Sequence, residues 1–149
     1  MGRSGKRNLN SLRQASPKDF PSGPVAALIG FKLTSIQPGR VVVEFEAKKR
    51  HSNPMGTLHG GILCDIADAA MGIAYKTTLK EGETLTTLEL KISFLRPFWT
   101  GKLRAIGRVF KAGRTIGFSE CDVTNQKNQL VARATSTLMT LRGEQARGR

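Results

Sequence analysis

The stretch that most constrains the fold of this chain is residues 62–75, where nearly every position is apolar or small. The only charged residues in it are Asp65 and Asp68. The pattern predicts a helix that begins after His59-Gly60-Gly61 and runs to about Lys80. A helix that is apolar on all sides is normally buried. A transmembrane span is not expected, because it needs roughly 20 apolar residues without such interruptions.

Two carboxylates inside so apolar a helix are the first indication of a functional site. An ionised carboxylate away from water is costly unless it is paired or hydrogen-bonded. Just upstream, Gly60 and Gly61 are expected to leave backbone amides uncovered at the positive end of the helix dipole. A ligand can approach those amides closely, because glycine has no side chain. Acid and uncovered amides on one helix therefore predict a site.

The charge of the chain is strongly positive and is only partly concentrated at its ends. The 149 residues carry a formal net charge of +13. Residues 1–20 have five basic and one acidic side chain, the last eight residues have three and one, and the remainder has sixteen and nine. A basic domain favours anionic partners, which include nucleic acid, acidic lipid and phosphorylated small molecules. Charge alone does not choose among these classes.

The N-terminus and the cysteines indicate the cellular compartment. No apolar segment follows the early basic residues, so neither a signal peptide nor a membrane anchor is expected. Cys64 and Cys121 have no metal-ligand spacing and are interpreted as free, buried thiols in a reducing compartment. These features predict a cytoplasmic protein.

Composition divides the chain into one domain with a tail at each end. Residues 1–24 are predicted to be a mobile basic tail with one short helical turn near its end, and residues 142–149 a second basic tail. The domain, residues 25–141, is long enough to bury a core. It is expected to open at 26–36 with a helical turn and a first strand, followed by a turn at Pro38-Gly39.

Alternation of apolar and polar residues predicts a sheet around the helix. A second strand is expected at 41–46 and a polar loop at 48–58. After the helix, four strands are predicted at 86–94, 102–111, 115–124 and 130–141. In the first of these four, one face carries Leu88, Leu90, Ile92 and Phe94 and the other carries Thr87 and Glu89. Short connections indicate an antiparallel meander, so the predicted class is an α+β domain whose sheet of about six strands wraps one long helix.

The motif at 53–61, Asn-Pro-Met-Gly-Thr-Leu-His-Gly-Gly, resembles the hotdog-fold acyl-CoA thioesterases of the phenylacetate-pathway type. Asp68 follows His59 by nine residues, as in that family. The likeness covers roughly residues 26–141 and includes the strand order, Arg96-Pro97 at a strand end and the hairpin at 113–115. It implies a hotdog fold and hydrolysis of an acyl-CoA substrate to free acid and coenzyme A.

The resemblance also implies roles for individual residues. The Gly60 amide would polarise the thioester carbonyl, with the His59 side chain near the sulfur. Asn53 would orient the water or the carboxylate. Asp68 would act as nucleophile or general base, and Thr87 would hold the water from its side. For coenzyme A, the expected contacts are Gly61, Lys111 and Arg114. No metal or redox cofactor is expected.

Spacing predicts that the site is shared between two chains. Gly60 and Asp68 are eight residues apart, which is roughly 12 Å along a helix. Reacting groups must come within about 3–3.5 Å of each other. Two antiparallel helices related by a twofold axis could set Gly60 of one against Asp68 of the other. We therefore expect a homodimer, which agrees with the resemblance, and a homotetramer built from two such dimers remains open.

Simpler interpretations of the same residues remain open. His59 could be an ordinary helix-entry histidine bonded to the backbone, and Thr87 a plain strand former. Asp65 competes with Asp68, since the two lie on neighbouring faces of the helix. Other expectations concern Cys64 as core packing, His51 as a solvated loop residue, and Phe98 and Trp99 as either an acyl pocket or a cover for a sheet edge.

Three other functions compete with thioester hydrolysis. The domain could be a non-catalytic acyl-CoA-binding module, or a hydratase, although no paired Asp and His has the spacing that such enzymes use. Nucleic-acid binding through the positive charge is the third. The chain lacks the mixture of aromatic and basic residues of a base-stacking surface, with 6% aromatics, so no nucleic-acid partner is expected.

Overall fold

The structure is a computed structural model that describes residues 16–20 and 23–149. Within these described residues, two α-helices and six strands form the domain. They are α1 (Pro24–Ile29), β1 (Phe31–Gln37), β2 (Arg40–Ala47), α2 (Gly60–Lys76), β3 (Thr84–Phe94), β4 (Gly101–Ala112), β5 (Ile116–Asn125) and β6 (Leu130–Leu141). Short 3-10 turns occupy Pro17–Asp19, Lys49–His51 and Gly143–Ala146. The six strands make one antiparallel sheet, and α2 lies across it and contacts all of them.

The order of strands in the sheet is β1-β2-β4-β5-β6-β3, so the prediction of a four-strand meander after the helix is wrong for β3. β3 pairs with β6 at the far edge, and residues 95–100 carry the chain back to β4. Three strand spacings amount to roughly 14 Å, which six extended residues can span. A short connection therefore does not force β3 and β4 to be neighbours.

Two glycines allow α2 to lie directly on the sheet. A Cβ on Gly107 of β4 would come within 2.3 Å of the Ala70 carbonyl oxygen of the helix. A Cβ on Gly117 of β5 would come within 2.1 Å of the Tyr75 ring. Tyr75 is fully buried, and its hydroxyl shares a 2.8 Å hydrogen bond with Thr140. These contacts fix the helix close to β4 and β5, and so fix the position of its N-terminal end at Gly60 relative to the sheet.

Helix α2 ends four residues before the predicted Lys80. The Thr77 hydroxyl donates to the carbonyl of Ala74, and the Thr78 hydroxyl donates to that of Tyr75. These bonds satisfy carbonyl groups that the last turn of a helix leaves without partners. These threonine bonds thus close the C-terminal end of the helix at Lys76.

The prediction that α2 is buried on all sides is also wrong for a single chain. Its sheet side is buried, but one stripe is partly or fully exposed. We call this the open stripe of α2, and it consists of Gly61, Cys64, Asp65, Asp68, Ala69 and Gly72. Both acids of the helix therefore lie on its accessible side.

The predicted domain limits fall partly outside the described residues. Of the N-terminal tail, residues 1–15, 21 and 22 are not described, and the described part contains the 3-10 turn at Pro17–Asp19 near the position where a turn is predicted. The limits at 25 and 141 remain predictions. Within the described residues, no helix combines the length and the hydropathy that a membrane span requires.

Candidate active site

The N-terminus of α2 is capped by the side chain of His59. Its Nδ1 accepts a 2.9 Å hydrogen bond from the backbone amide of Gly61, while its backbone amide donates to the carbonyl of His51. Because Nδ1 accepts, the proton of the neutral ring lies on Nε2. Of the two amides expected to be uncovered, that of Gly61 is therefore occupied. This corrects the expectation that both amides are uncovered, and it agrees with the simpler interpretation of His59 as a helix-entry histidine bonded to the backbone.

The Gly60 amide is the uncovered donor at this helix end. Among the residues that the structure describes, no acceptor is paired with it. The Phe94 ring lies against its Cα, so that a Cβ at this position would be 2.8 Å from the Phe94 Cζ. The lack of a side chain at Gly60 thus leaves room for the Phe94 ring beside the free amide. The alternation in β3 predicts Phe94 on the apolar face of its strand and gives no sign of this contact.

A cleft of about 370 Å³ opens beside Gly60. Its walls come from the loop before α2, from the first turn of α2, and from the end of β3 with the segment that follows it. The lining residues are Asn53, Thr57, Leu58, Gly60, Leu63, Phe94, Leu95, Arg96, Pro97 and Phe98. Mostly apolar walls with one free amide suit a ligand that is largely apolar and carries a single acceptor oxygen.

Asn53 holds the loop that forms one wall of this cleft. Its Nδ2 donates to the Thr57 hydroxyl at 2.8 Å, and its Oδ1 accepts from the Met55 amide at 3.0 Å. The second Nδ2 hydrogen remains available for a ligand or water. The side chain lines the cleft, with most of its hydrogen bonding committed to the loop, and its role toward the water or the carboxylate stays a prediction.

Asp68 and Thr87 are brought together from α2 and β3. The Thr87 hydroxyl donates a 2.9 Å hydrogen bond to Oδ1 of Asp68, and both side chains are partly exposed. The predicted alternation put Thr87 on the face opposite Leu90 and Ile92. A register shift between Thr87 and Glu89 instead turns Thr87 toward the helix, and leaves Leu88 53% exposed. The alternating sequence of β3 contains no signal for this irregularity.

The two other titratable side chains of the open stripe differ from Asp68. Asp65 is exposed, and desolvation together with the charge of Asp68 raises its pKa. Burial and the nearby charge of Asp65 raise the pKa of the Cys64 thiol, which favours the unreactive protonated form. Of these three groups, Asp68 is the carboxylate with a neutral donor already bound to one of its oxygens. Cys121 is buried in the core, which raises its pKa to about 12.

His51 is buried, so its interpretation as a solvated loop residue is wrong. Its Nδ1 accepts from the Lys48 amide at 2.9 Å, its ring packs 4.9 Å from that of Phe45, and its carbonyl accepts from His59. Burial and the charge of Arg50 lower its pKa. His51 thus supports the loop that leads to the cap of α2.

Two of the three predicted coenzyme A contacts, Lys111 and Arg114, lie away from the cleft of the same chain, whereas Gly61 is in the first turn of α2 beside it. Lys111 and Arg114 are exposed on the β4–β5 hairpin, next to Gly117, which packs on Tyr75. Tyr75 is fifteen residues along α2 from Gly60, or roughly 22 Å. Phe98 lines the cleft, whereas Trp99 does not and is 55% exposed.

Other features of the surface hold none of the predicted site residues. A larger cleft of about 640 Å³ lies on the outer face of the sheet, where Lys32, Glu44 and Arg104 are register neighbours. Within residues 16–20 and 23–149, no three His, Cys, Asp or Glu side chains are grouped so that they could hold a metal ion.

The arrangement consists of two halves that one chain does not bring together. One half is the free Gly60 amide with His59, Asn53 and the cleft. The other is Asp68 with Thr87, roughly 12 Å along the helix. The first can polarise a carbonyl oxygen, and the second can deliver or activate an oxygen nucleophile.

Comparison with known proteins identifies the family. The profile of the thioesterase superfamily matches residues 55–132. Human acyl-coenzyme A thioesterase 13 is 31% identical over 107 residues, which are 70% of this chain and 76% of the relative. A thioesterase family protein from Silicibacter pomeroyi superimposes with a TM-score of 0.80 at 27% identity, covering 91% of this chain and 100% of that one.

A further solved structure is the PaaI protein from the phenylacetic acid degradation operon of E. coli. It is 26% identical, with a TM-score of 0.76, and the match covers 81% of this chain and 86% of that protein. These likenesses confirm the predicted hotdog fold and the prediction of a thioester hydrolase. The chain belongs to the thioesterase superfamily.

Proposed function

We propose that this protein hydrolyses acyl-CoA thioesters to a free acid and coenzyme A at sites shared between two subunits. The observation that carries the proposal is the free Gly60 amide, which opens onto an apolar cleft at the positive end of α2. The named activity of the human relative, an acyl-coenzyme A thioesterase, supports the choice of substrate class.

In this mechanism the Gly60 amide of one subunit donates to the thioester carbonyl and stabilises the oxyanion as it forms. Asp68 of the other subunit either attacks the carbonyl carbon, giving an anhydride that water then cleaves, or takes a proton from the attacking water. The carbon–sulfur bond breaks, and the thiolate leaves near the Nε2 proton of His59. Thr87 binds one oxygen of Asp68 and leaves the other free for this chemistry. Asn53 and Thr87 orient the water, and the reaction uses no metal or redox cofactor.

Two exposed features support pairing of subunits. The open stripe of α2 contains Gly61, Ala69 and Gly72, whose small side chains let a second helix approach closely. Beside it, β3 is an edge strand with Leu88 and Phe94 53% and 56% exposed. An eleven-residue edge strand with exposed apolar side chains is a template for pairing with another chain. A twofold dimer through both features would cover them together.

The same antiparallel pairing accounts for the coenzyme A residues. If Gly60 faces the partner's Asp68, the Tyr75 end of α2 is level with the partner's Asn53. The β4–β5 hairpin beside Tyr75 would then bring Lys111 and Arg114 to the mouth of the cleft of the other subunit. Their charges would bind the phosphates of coenzyme A there. Within one chain these residues would have no such role.

The test of the proposed chemistry is thiol release from a panel of acyl-CoA substrates. Asp68→Asn keeps the volume of the side chain and removes the nucleophile or base, so we expect turnover to fall by at least about 100-fold. Asp65→Asn, on the same stripe of α2, is the matched control and should stay within about fivefold. Turnover by Asp68→Asn within a few fold of wild type would contradict the mechanism. Tight acyl-CoA binding by the wild type without thiol release would favour the non-catalytic binding module instead.

A further inference from the structure

The irregularity in β3 is a β-bulge at Leu88. Thr87 is opposite Leu138 of β6 and Glu89 is opposite Thr137, so Leu88 is one residue more than β6 can pair. Side chains of a regular strand alternate between its two faces, so residues three apart point in opposite directions. Thr87 nevertheless faces α2, as do Leu90 and Ile92, which pack against the core. The extra residue allows Thr87, before the bulge, and Leu90 and Ile92, after it, to face the helix together.

The chain holds this bulge with two hydroxyl groups from β6. The Ser136 hydroxyl donates a 2.9 Å hydrogen bond to the carbonyl oxygen of Glu89, the first residue after the bulge. The Thr137 hydroxyl donates to the Glu89 carboxylate, also at 2.9 Å, on the exposed side. Ser136 is only 2% exposed, so the hydroxyl that holds the Glu89 carbonyl is itself shielded from water.

A neighbouring serine at the same depth offers a direct comparison for Ser136. Ser119 of β5 is directly opposite Ser136 and is fully buried on the same face. Its hydroxyl has no hydrogen-bond partner within the part of the chain that the structure describes. The two serines therefore share position and burial, and differ in the bond to β3.

We propose that Ser136 is a positioning residue for the active site, which holds the Leu88 bulge so that Thr87 reaches Asp68. β-Bulges are over-represented next to active sites, where they redirect a side chain. Ser136 touches neither substrate nor Asp68, and acts through the Glu89 carbonyl and the Thr87 side chain. This inference rests on the proposed role of Asp68.

The experiment is a double-mutant cycle on thiol release. Ser136→Ala should lower kcat by about fivefold to tenfold, the value of one hydrogen bond, with KM within about twofold. Ser119→Ala, which removes a hydroxyl at the same depth, should leave kcat within about twofold. In the Thr87→Val background, Ser136→Ala should cause no further loss, because the residue through which it acts is already inactive.

Two results would overturn the proposal. One is a kcat for Ser136→Ala equal to that of Ser119→Ala, and the other is a full additional loss from Ser136→Ala in the Thr87→Val background. If Ser136→Ala does not fold, Ser136→Cys replaces it in the cycle, since a thiol of similar volume is a weaker donor. Asp68→Asn in the same assay distinguishes a failure of the proposed function from a failure of the proposed role of Ser136. If it remains active, the proposed function fails, whereas an inactive Asp68→Asn with a fully active Ser136→Ala refutes only the role of Ser136.

Discussion

The hydroxyl of Thr87 donates a 2.9 Å hydrogen bond to Oδ1 of Asp68 and thereby joins β3 to the open stripe of α2. This bond fixes the direction of the carboxylate. It also distinguishes Asp68 from Asp65, which is three residues away, exposed and close enough for the charge of Asp68 to raise its pKa. The acid favoured by the sequence analysis is thus also the one that the fold orients.

Removing this hydroxyl without changing the shape of the side chain should impair turnover. We expect Thr87→Val to lower kcat by about tenfold, with a small change in KM, because one charge-assisted hydrogen bond is lost and the strand is kept. Steady-state thiol release measures this. Thr86→Val is the control, since the preceding residue lies on the other face of β3. Equal kcat values for the two variants would mean that the Thr87 bond has no role in turnover.

The Gly60 amide can be deleted while the helix is retained. Proline is tolerated at the first position of a helix, and His59 already has the extended conformation (φ −63°, ψ 130°) that a following proline requires. Gly60→Pro should therefore lower kcat by about 100-fold, the typical cost of one oxyanion donor.

Gly60→Ala is the control for the amide. It keeps the N–H and adds the same Cβ toward Phe94, where the atoms that this Cβ meets belong to the end of the ring, which can turn aside. We expect it to lose less than about tenfold in kcat. Equal losses from the two substitutions would assign the effect to the contact with Phe94 and would exclude the amide as the donor.

Much of the fold follows from the sequence because its alternating segments are bounded by turn residues. β4, β5 and β6 lie within one or two residues of their predicted limits. The position of β3 in the sheet does not follow, because a six-residue connection lets β3 lie either beside β4 or at the far edge beside β6. Nor do the bulge at Leu88 and the bond from Ser136, which are specified by contacts between residues 47 positions apart.

The residue types of the site could be predicted from the sequence, but their geometry could be predicted only in part. Gly60 and Asp68 stand out because glycine pairs and acids are unusual in an apolar helix. The capping of Gly61 by His59 and the burial of His51 depend on how the loop before α2 folds, and a histidine cap is not among the common helix starts. The exposed stripe of α2 was not predicted either. Apart from its two acids, its residues are small or apolar and do not distinguish it from the buried sides of the helix.

The buried His51 predicts a pH dependence of stability. Burial, and secondarily the charge of Arg50, lower its pKa below the ordinary value of 6.5. The folded protein therefore binds fewer protons than the unfolded chain below that pH. The stabilisation from neutral His51 is fully present above about pH 6.5 and is lost as the pH falls through the folded-state pKa.

Urea unfolding at several pH values measures this effect. The midpoint of the wild type should fall between pH 7.5 and pH 5, and that of His51→Gln should fall less. A decline of the same size in His51→Gln would assign the pH dependence to other groups.

The most direct test of a shared site is complementation between two inactive variants. Gly60→Pro and Asp68→Asn subunits, co-expressed with different tags, would form hybrid dimers in which one site has both mutations and the other has neither. Random pairing makes half of the dimers hybrid, so the mixture should recover about one quarter of wild-type turnover. Turnover of the mixture that stays at the level of the two separate variants would contradict a site built from two subunits.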